Sequence, residues 1–168
     1  MNVVIYPDPI LLKKTTPVAG VDAELQTRIR EMFDLMYELK GVGLAAPQVG
    51  QSIRLFVLNP TGNPEHERVL INPRILKRRD RIRGDEGCLS FPGIYIEVER
   101  SRFIEVEARN EKFEPVRFEA HDFEARIIQH ELDHLDNVLL VHRMSETDRI
   151  RLRSALRELE DKYRQPVG

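Results

Sequence analysis

The chain has 168 residues, of which 41% are hydrophobic and 32% charged, with no tryptophan. This composition predicts a single folded domain, residues 1–168, and argues against a disordered protein. The net charge of −2 argues against a DNA- or RNA-binding protein. The longest apolar runs are far shorter than the roughly 20 residues of a membrane helix, and the N-terminus lacks a signal-peptide pattern, so we expect a cytoplasmic protein without a membrane segment.

The first predicted element is a helix. Asp22 is a suitable N-cap, and apolar residues then recur at spacings of three and four as far as Leu39. Gly41 is expected to end this helix. The following segment, residues 41–50, has too many glycines for a helix and too many small apolar residues for a solvated linker. It therefore indicates a buried, closely packed loop.

Extended segments follow in the middle of the chain. Residues 53–58 and 69–71 are rich in residues that favour strands, and they are bounded by proline and asparagine. Residues 104–109 alternate apolar and charged side chains, which predicts a strand with one solvated face. A further short strand is expected at residues 116–118.

Two more helices are predicted in the last third of the chain. Helical periodicity returns from about Asp122 to Leu135, and a last helix is expected after Ser145, with Asp148 as its capping partner. The whole pattern predicts an α+β fold. In this fold, mostly antiparallel strands pack around the middle helix, and the other helices lie near the two termini.

The middle helix carries His-Glu-Leu-Asp-His at residues 130–134, a match to the pattern found in zinc hydrolases. At about 100° per residue, His130, Glu131 and His134 share one apolar side of the helix. The opposite side is expected to face outward and holds three polar residues: Arg126, Gln129 and Asp133. Two histidines at this spacing also occur by chance. Glu131 weakens that interpretation, because an unpaired carboxylate on an apolar face is costly without a metal or another partner.

A catalytic metal ion usually has three protein ligands and one open position, so a third ligand is required. Cys88 is the candidate, because it lies within residues 86–93, where glycine and proline indicate an irregular loop able to direct a thiolate inward. A lone cysteine is more often a small buried hydrophobic residue. The histidine pair favours the ligand interpretation. A single cysteine, which cannot form an internal disulfide, also fits a reducing compartment.

Three segments carry a resemblance to a known family. GVGLAAPQ at residues 41–48, EGCLS at 86–90 and QHELDHL at 129–135 resemble, in order and spacing, the three motifs of the peptide deformylase family. The resemblance covers nearly the whole chain and includes YPDP at residues 6–9 and the helical C-terminus of one bacterial type. It implies a peptide deformylase-like fold and metal-dependent removal of the N-formyl group from the methionine of new polypeptides, with release of formate.

The resemblance also implies the roles of individual residues. Three residues would bind the metal: Cys88, His130 and His134. Glu131 would transfer protons, and Gln48 with the backbone N–H of Leu89 would bind the oxyanion. Iron, cobalt, nickel and zinc all suit two imidazoles and a thiolate. The resemblance implies Fe²⁺ as the working ion, with Zn²⁺, Ni²⁺ or Co²⁺ as substitutes in purified protein. The expected partners are formylmethionyl nascent peptides, and a transient ribosome contact is a hypothesis from the family alone.

The methionine side chain of the substrate needs an apolar pocket. Three residues are candidates for its wall: Val42, Phe123 and Ile127. Core packing explains each of them equally well. By resemblance, Gly43 would let the substrate backbone approach, and Glu86 would pair with Arg100 to brace the loop that holds Cys88.

Two positions after the middle helix depart from the usual family pattern. Asn137 stands where the family mostly has glycine, and asparagine is the next-best residue for a left-handed helix cap. His142 stands where the family mostly has aspartate. We expect it to be either a surface residue or a replacement hydrogen-bonding partner.

Two other functions fit parts of the pattern. A metalloprotease uses the same histidine motif, but its usual downstream third ligand is represented only by the poorly placed His142 and Glu146. A structural zinc module needs four protein ligands, and the sequence offers no convincing fourth. The basic stretch at residues 74–83 and the arginines of the last helix are best explained as solvated faces.

Overall fold

The computed structural model of the protein describes residues 1–165. Its helices and strands are, in chain order, α1 (Ala23–Glu38), β1 (Gly43–Ala45), β2 (Leu55–Leu58), β3 (Arg68–Cys88), β4 (Phe91–Arg109), β5 (Pro115–His121), α2 (Asp122–Leu135), α3 (Glu146–Arg151) and α4 (Arg153–Arg164). The five strands form one sheet in sequence order, and every neighbouring pair is antiparallel. The predicted α+β class with antiparallel strands is therefore confirmed. None of the helices in the described part of the chain combines the length and hydrophobicity needed to span a lipid bilayer.

The β3–β4 hairpin is much longer than predicted. The irregular loop predicted at residues 86–93 is wrong, because β3 continues to Cys88 and β4 begins at Phe91, which leaves only a tight turn at residues 89–90. The missed part of β3 is rich in basic residues and has no apolar alternation. Its strand conformation is supported across the ladder, where arginines pair with glutamates of β4.

The segment after α1 is buried as predicted at residues 44–48, whereas Val42 and Gly50 are exposed, and it has regular structure. It contains β1 and a short 3₁₀ turn at Ala46–Val49. The left-handed residue after α1 is Lys40 rather than Gly41. Gly41 instead packs closely on Leu89, because a Cβ atom there would lie 2.7 Å from Cδ1 of that side chain. This contact places the end of α1 against the turn that follows Cys88.

Helix α2 has the predicted bounds and lies across the sheet. Its apolar residues pack on those of the central strands in one cluster, which includes Leu58, Val106, Ala125, Ile128 and Leu132. The prediction that one side of this helix faces outward is wrong. Gln129 is only 4% exposed, and its amide exchanges hydrogen bonds with the backbone of Ser101 at 2.8 and 2.9 Å. Arg126 and Asp133 are half-buried, because the β3–β4 hairpin and the segment around Arg143 cover this side as well.

The C-terminal helix is divided in two. Ser145 caps α3 as predicted, since its hydroxyl accepts from the Asp148 N–H while its own N–H donates to the Asp148 carboxylate. One continuous helix was predicted, but the backbone breaks at Leu152. Leu152 and Leu159 pack into a cluster around Phe91, at the start of β4. The cluster therefore connects the C-terminal helices to the turn that carries Cys88.

The two departures after α2 are accommodated locally. Asn137 adopts a left-handed φ of 58°, as predicted for a cap. Its side-chain amide donates to the carbonyls of Leu11 at 3.1 Å and Lys13 at 2.8 Å, which a glycine could not do. His142 is exposed, and its Nδ1 accepts a hydrogen bond from the Leu139 N–H at 2.8 Å. It is both a surface residue and a hydrogen-bonding partner.

Candidate active site

Cys88, His130 and His134 come together beneath the β3–β4 turn. Their ligand atoms all lie within 4.8 Å of one another, and Sγ of Cys88 is 3.3 Å from Nε2 of His134. The two histidines share one side of α2 because they are four residues apart. Bonds of about 2.0 Å to nitrogen and 2.3 Å to sulfur place tetrahedral ligands roughly 3.3–3.6 Å apart. The Cys88–His134 distance already has this value, and the three donors are close enough together to be candidates for one metal ion.

His130 is oriented by Glu86, whose Oε1 lies 2.9 Å from Nδ1 of the ring. The buried carboxylate of Glu86 also accepts two hydrogen bonds from Arg100, at 2.8 and 2.9 Å. Burial alone would raise the pKa of Glu86, but the hydrogen bonds from Arg100 and His130 lower it to about 2. The carboxylate is thus charged at neutral pH, and it directs the other ring nitrogen of His130 toward the cluster.

The two imidazoles have opposite electrostatic surroundings. Burial, together with the proximity of His130, lowers the pKa of His134 well below its ordinary value. Burial also acts to lower the pKa of His130, but its hydrogen bonds with Cys88 and Glu86 raise it above the ordinary value. Since a metal ligand must be unprotonated, His134 is already in its binding form, whereas metal binding would displace a proton from His130.

Glu131 lies between the histidines and the sheet. It is only 3% exposed, and within the described residues its Oε2 has no hydrogen-bonding partner. Burial raises its pKa to about 7. Gly43 of β1 makes room for it, because a Cβ atom there would lie 3.1 Å from Cδ of Glu131 and 2.9 Å from Cγ2 of Ile127. This buried carboxylate oxygen therefore lacks the hydrogen-bonding partner that a buried polar atom normally has.

Gln48 is held with its amide NH₂ group toward Cys88. Its Oε1 accepts a hydrogen bond from the Ala45 N–H at 2.9 Å, so Nε2 must point the other way. Nε2 donates to Oγ of Ser90 at 3.1 Å and lies 3.6 Å from Sγ of Cys88. Leu89 occupies the tight turn between these residues. One side-chain donor and one backbone turn therefore flank the sulfur.

A cavity of about 710 Å³ has Cys88, Leu89, His130 and Glu131 in its wall. It is lined by all the residues predicted to bind the substrate: Val42, Gly43, Phe123 and Ile127. Phe123 is 53% exposed and Val42 38%, so core packing does not explain these two residues. Ile127 is buried and belongs both to the cavity wall and to the core.

Several lining residues were not predicted. They come from the N-terminal segment, the β4 strand and α2, and include Val3, Ile5, Tyr95 and Arg126. Val3 and Ile5 line the cavity because Val4, between them, is bound to the site: its N–H donates to the carbonyl of Gln48 at 2.6 Å. No local sequence pattern signals such a long-range backbone contact.

Residues 1–150 match the sequence profile of the polypeptide deformylase family. The chain belongs to this family. Deformylases of this family are metalloenzymes that remove the N-formyl group from nascent polypeptides, and this is the hydrolase activity to which the chain is assigned. The family resemblance seen in the sequence motifs is confirmed.

The relatives support the same assignment. The chain is 46% identical over 155 residues to the peptide deformylase of Chlorobaculum tepidum, covering 90% of this chain and 83% of the relative. It is 43% identical over 171 residues to the chloroplastic/mitochondrial peptide deformylase 1B of Arabidopsis thaliana, of whose length it spans 63%. A crystal structure of the Arabidopsis enzyme with an inhibitor superposes with a TM-score of 0.91, at 44% identity, covering 97% of this chain and 92% of that one.

Proposed function

We propose that the chain hydrolyses the formyl amide of formylmethionyl peptides as one catalytic domain, with Cys88, His130 and His134 as metal ligands. One observation carries this proposal. The three donors converge beside Glu131, whose buried carboxylate oxygen has no hydrogen-bonding partner among residues 1–165. A metal ion held there would lower the pKa of a bound water molecule toward neutrality. Only an acceptor for the proton of that water and donors for the developing oxyanion are then required.

Glu131 is suited to move the proton. Its carboxylate would accept a proton as water attacks the formyl carbon, and would return it to the leaving amine when the C–N bond breaks. The products are formate and a free methionine N-terminus. A neighbouring cation would lower the pKa of Glu131 from the value of about 7 found without one, so that the carboxylate is ready to accept a proton at neutral pH.

Gln48 and the Leu89 N–H are suited to stabilise the oxyanion. We expect Gln48→Glu to lower kcat by about 10²–10³-fold, because it replaces the NH₂ donor by an oxygen. The variant retains an acceptor for the Ala45 N–H, but it buries a carboxylate at a position that is only 1% exposed, so its melting temperature should fall. Gln48→Leu should lower kcat similarly and also destabilise the fold, since it leaves that buried N–H without a partner. Equal kcat in Gln48→Glu and wild type would remove Gln48 from the mechanism.

Val42, Phe123 and Ile127 are proposed to form the methionine pocket, with Gly43 admitting the substrate backbone. Phe123→Ala should raise KM for formyl-Met-Ala-Ser by about 10-fold with little change in kcat, because it removes contact present before and during the reaction. The preference in kcat/KM for this peptide over formyl-Ala-Ala-Ser should shrink accordingly. Tyr163→Ala, a control at an exposed aromatic residue of α4, should leave the preference unchanged. An unchanged preference in Phe123→Ala would place the methionine elsewhere.

The proposed reaction is tested by formate release from formyl-Met-Ala-Ser. The protein is prepared without oxygen and loaded with Fe²⁺, Ni²⁺, Co²⁺ or Zn²⁺, and metal content is measured in each sample. We expect formate release, and no cleavage of the Met-Ala bond. Cleavage of that bond without formate release would favour a metalloprotease. The absence of both reactions in metal-loaded protein would contradict the proposal.

Fe²⁺ is proposed as the working ion on the family resemblance alone. A thiolate on ferrous iron should be sensitive to oxidation, which gives a test. In the same assay, exposure to air should inactivate the iron form within the time that leaves the nickel form active. Stable activity of the aerated iron form would count against this. The other metals would then be equally good candidates.

We propose that the enzyme acts in the cytoplasm, where its single thiol stays reduced and nascent chains are made. Cell fractionation tests this, and recovery in an oxidising compartment would contradict it.

A transient ribosome contact through α4 is a separate proposal from the family resemblance. Acidic residues dilute the positive charge of this helix. Co-sedimentation with ribosomes that survives removal of residues 153–168 would dispose of it.

A further inference from the structure

Arg126 connects the metal helix to both strands of the long hairpin. It lies one turn before His130 on α2, and its side chain is 11% exposed. One guanidinium nitrogen donates to Oε2 of Glu86 at 2.7 Å and to the carbonyl of Val98 at 2.9 Å. The other donates to the carbonyl of Ile82 at 3.0 Å. A single side chain therefore binds β3, β4 and the carboxylate that orients His130.

Gly84 provides the space for this guanidinium. A Cβ atom at Gly84 would lie 3.0 Å from Cζ of Arg126 and equally close to one of its terminal nitrogens. The backbone of Gly84 is an ordinary ladder partner of Val98 and is not left-handed, so glycine is not required by its conformation. The missing side chain is accounted for by the packing of Arg126.

The Glu86 carboxylate connects Arg126 to the metal site. Its Oε2 accepts from Arg126 and from Nε of Arg100, while its Oε1 accepts from Arg100 and lies against Nδ1 of His130. Arg100 is itself held by Asp133 at 2.7 Å. The direction of Oε1 therefore depends on partners at both ends of the carboxylate. Of these partners, Arg126 is the one that also donates to backbone carbonyls of both hairpin strands close to Glu86.

We propose that Arg126, seated on Gly84, is a positioning residue that sets the direction in which His130 presents its metal-binding nitrogen. The inference rests on the proposed metal centre. In the described part of the chain, the Arg126 guanidinium makes no hydrogen bond to the side chains of the three candidate ligands, so it would act through Glu86. The alternative is that Arg126 only attaches α2 to the sheet, as Arg68 of β3 does through Glu124 at 3.4 Å.

Arg68 is therefore the matched control. Five metal-free proteins are titrated with Co²⁺ against a competing chelator: wild type, Arg126→Met, Arg126→Lys, Gly84→Ala and Arg68→Met. Loss of a group that orients a metal ligand typically weakens binding 10–100-fold, so we expect about 10-fold weaker binding in Arg126→Met and an intermediate loss in Arg126→Lys. Arg68→Met should bind Co²⁺ within twofold of wild type, even if its melting temperature falls equally.

The visible spectrum of bound Co²⁺ gives a second readout that does not depend on activity or stability. Its bands should shift in Arg126→Met and Gly84→Ala but not in Arg68→Met, because they report the arrangement of the ligands. The double variant Gly84→Ala/Arg126→Met should bind Co²⁺ like Arg126→Met alone, since the alanine has no guanidinium left to displace.

Equal affinity and unchanged bands in Arg126→Met and wild type would overturn the inference, as would additive losses in the double variant. Failure of wild type to bind Co²⁺ would overturn the proposed metal centre, and the inference with it. Normal binding by wild type with no effect of Arg126→Met would contradict the inference alone.

Discussion

Replacing Glu131 by glutamine should lower formate release from formyl-Met-Ala-Ser by about 10³-fold or more, with the metal still bound. The change preserves the size of the side chain and removes the group proposed to accept and return the proton, a role worth about 10²–10⁴-fold. Metal content and kcat are measured on the same samples. Glu119→Gln, on the exposed face of β5, is the control and should behave as wild type. A Glu131→Gln enzyme with full metal content and wild-type kcat would exclude Glu131 from proton transfer.

Although Glu131→Gln should lower activity, it should raise the thermal stability of the metal-free protein. Burial raises the pKa of Glu131 to about 7 in the metal-free protein, above the ordinary value of 4.5. The folded protein thus binds more protons than the unfolded chain between these values, so its stability falls as the pH rises through this range. Metal-free Glu131→Gln should lack this fall and melt at a higher temperature than wild type at pH 8. A lower melting temperature would mean that the charged carboxylate is compensated in the fold.

The accuracy of the sequence-based predictions followed the range of the interactions. Helix α2 and the Asp22 cap of α1 depend on neighbouring residues, and both were predicted correctly. The long strands β3 and β4 depend on pairing across the hairpin, where each charged residue is stabilised by its partner on the other strand. Because many of these residues are charged, the sequence of the strands lacks the alternation of apolar and polar residues. Periodicity within one segment could not reveal this.

The candidate site shows the same division. His130 and His134 were identified from the spacing of the His-Glu-x-x-His motif, and Cys88 from the three segments that resemble the family. The structure brings the three side chains together. Arg126 was assigned to the outward side of its helix, since helical periodicity assumes that one side meets solvent. In the fold, α2 is covered on that side by the hairpin, so the guanidinium is directed to buried acceptors. Its partners are 28 to 44 residues away in the chain.

Removing the thiol by Cys88→Ala should abolish formate release, because the proposed metal site would retain only two of its three candidate ligands. The metal-free fold should be nearly unchanged, since Cys88 is only partly buried and sits at a strand end. Wild type should gain thermal stability when Ni²⁺ is added, by an amount that grows with the ratio of metal concentration to dissociation constant. The variant should lose most of this gain.

Because Cys88 is the only cysteine, a thiol reagent reports on this site alone. In wild type the thiol should react quickly without metal and slowly with Ni²⁺ bound, because the coordinated thiolate is occupied by the metal. Cys88→Ser should distinguish the effect of side-chain size from that of metal binding. It restores the size of the side chain but offers a harder oxygen donor that binds these ions less well. If Cys88→Ala retained metal and activity, the third ligand would have to be sought elsewhere. Equal thiol reactivity with and without Ni²⁺ would lead to the same conclusion.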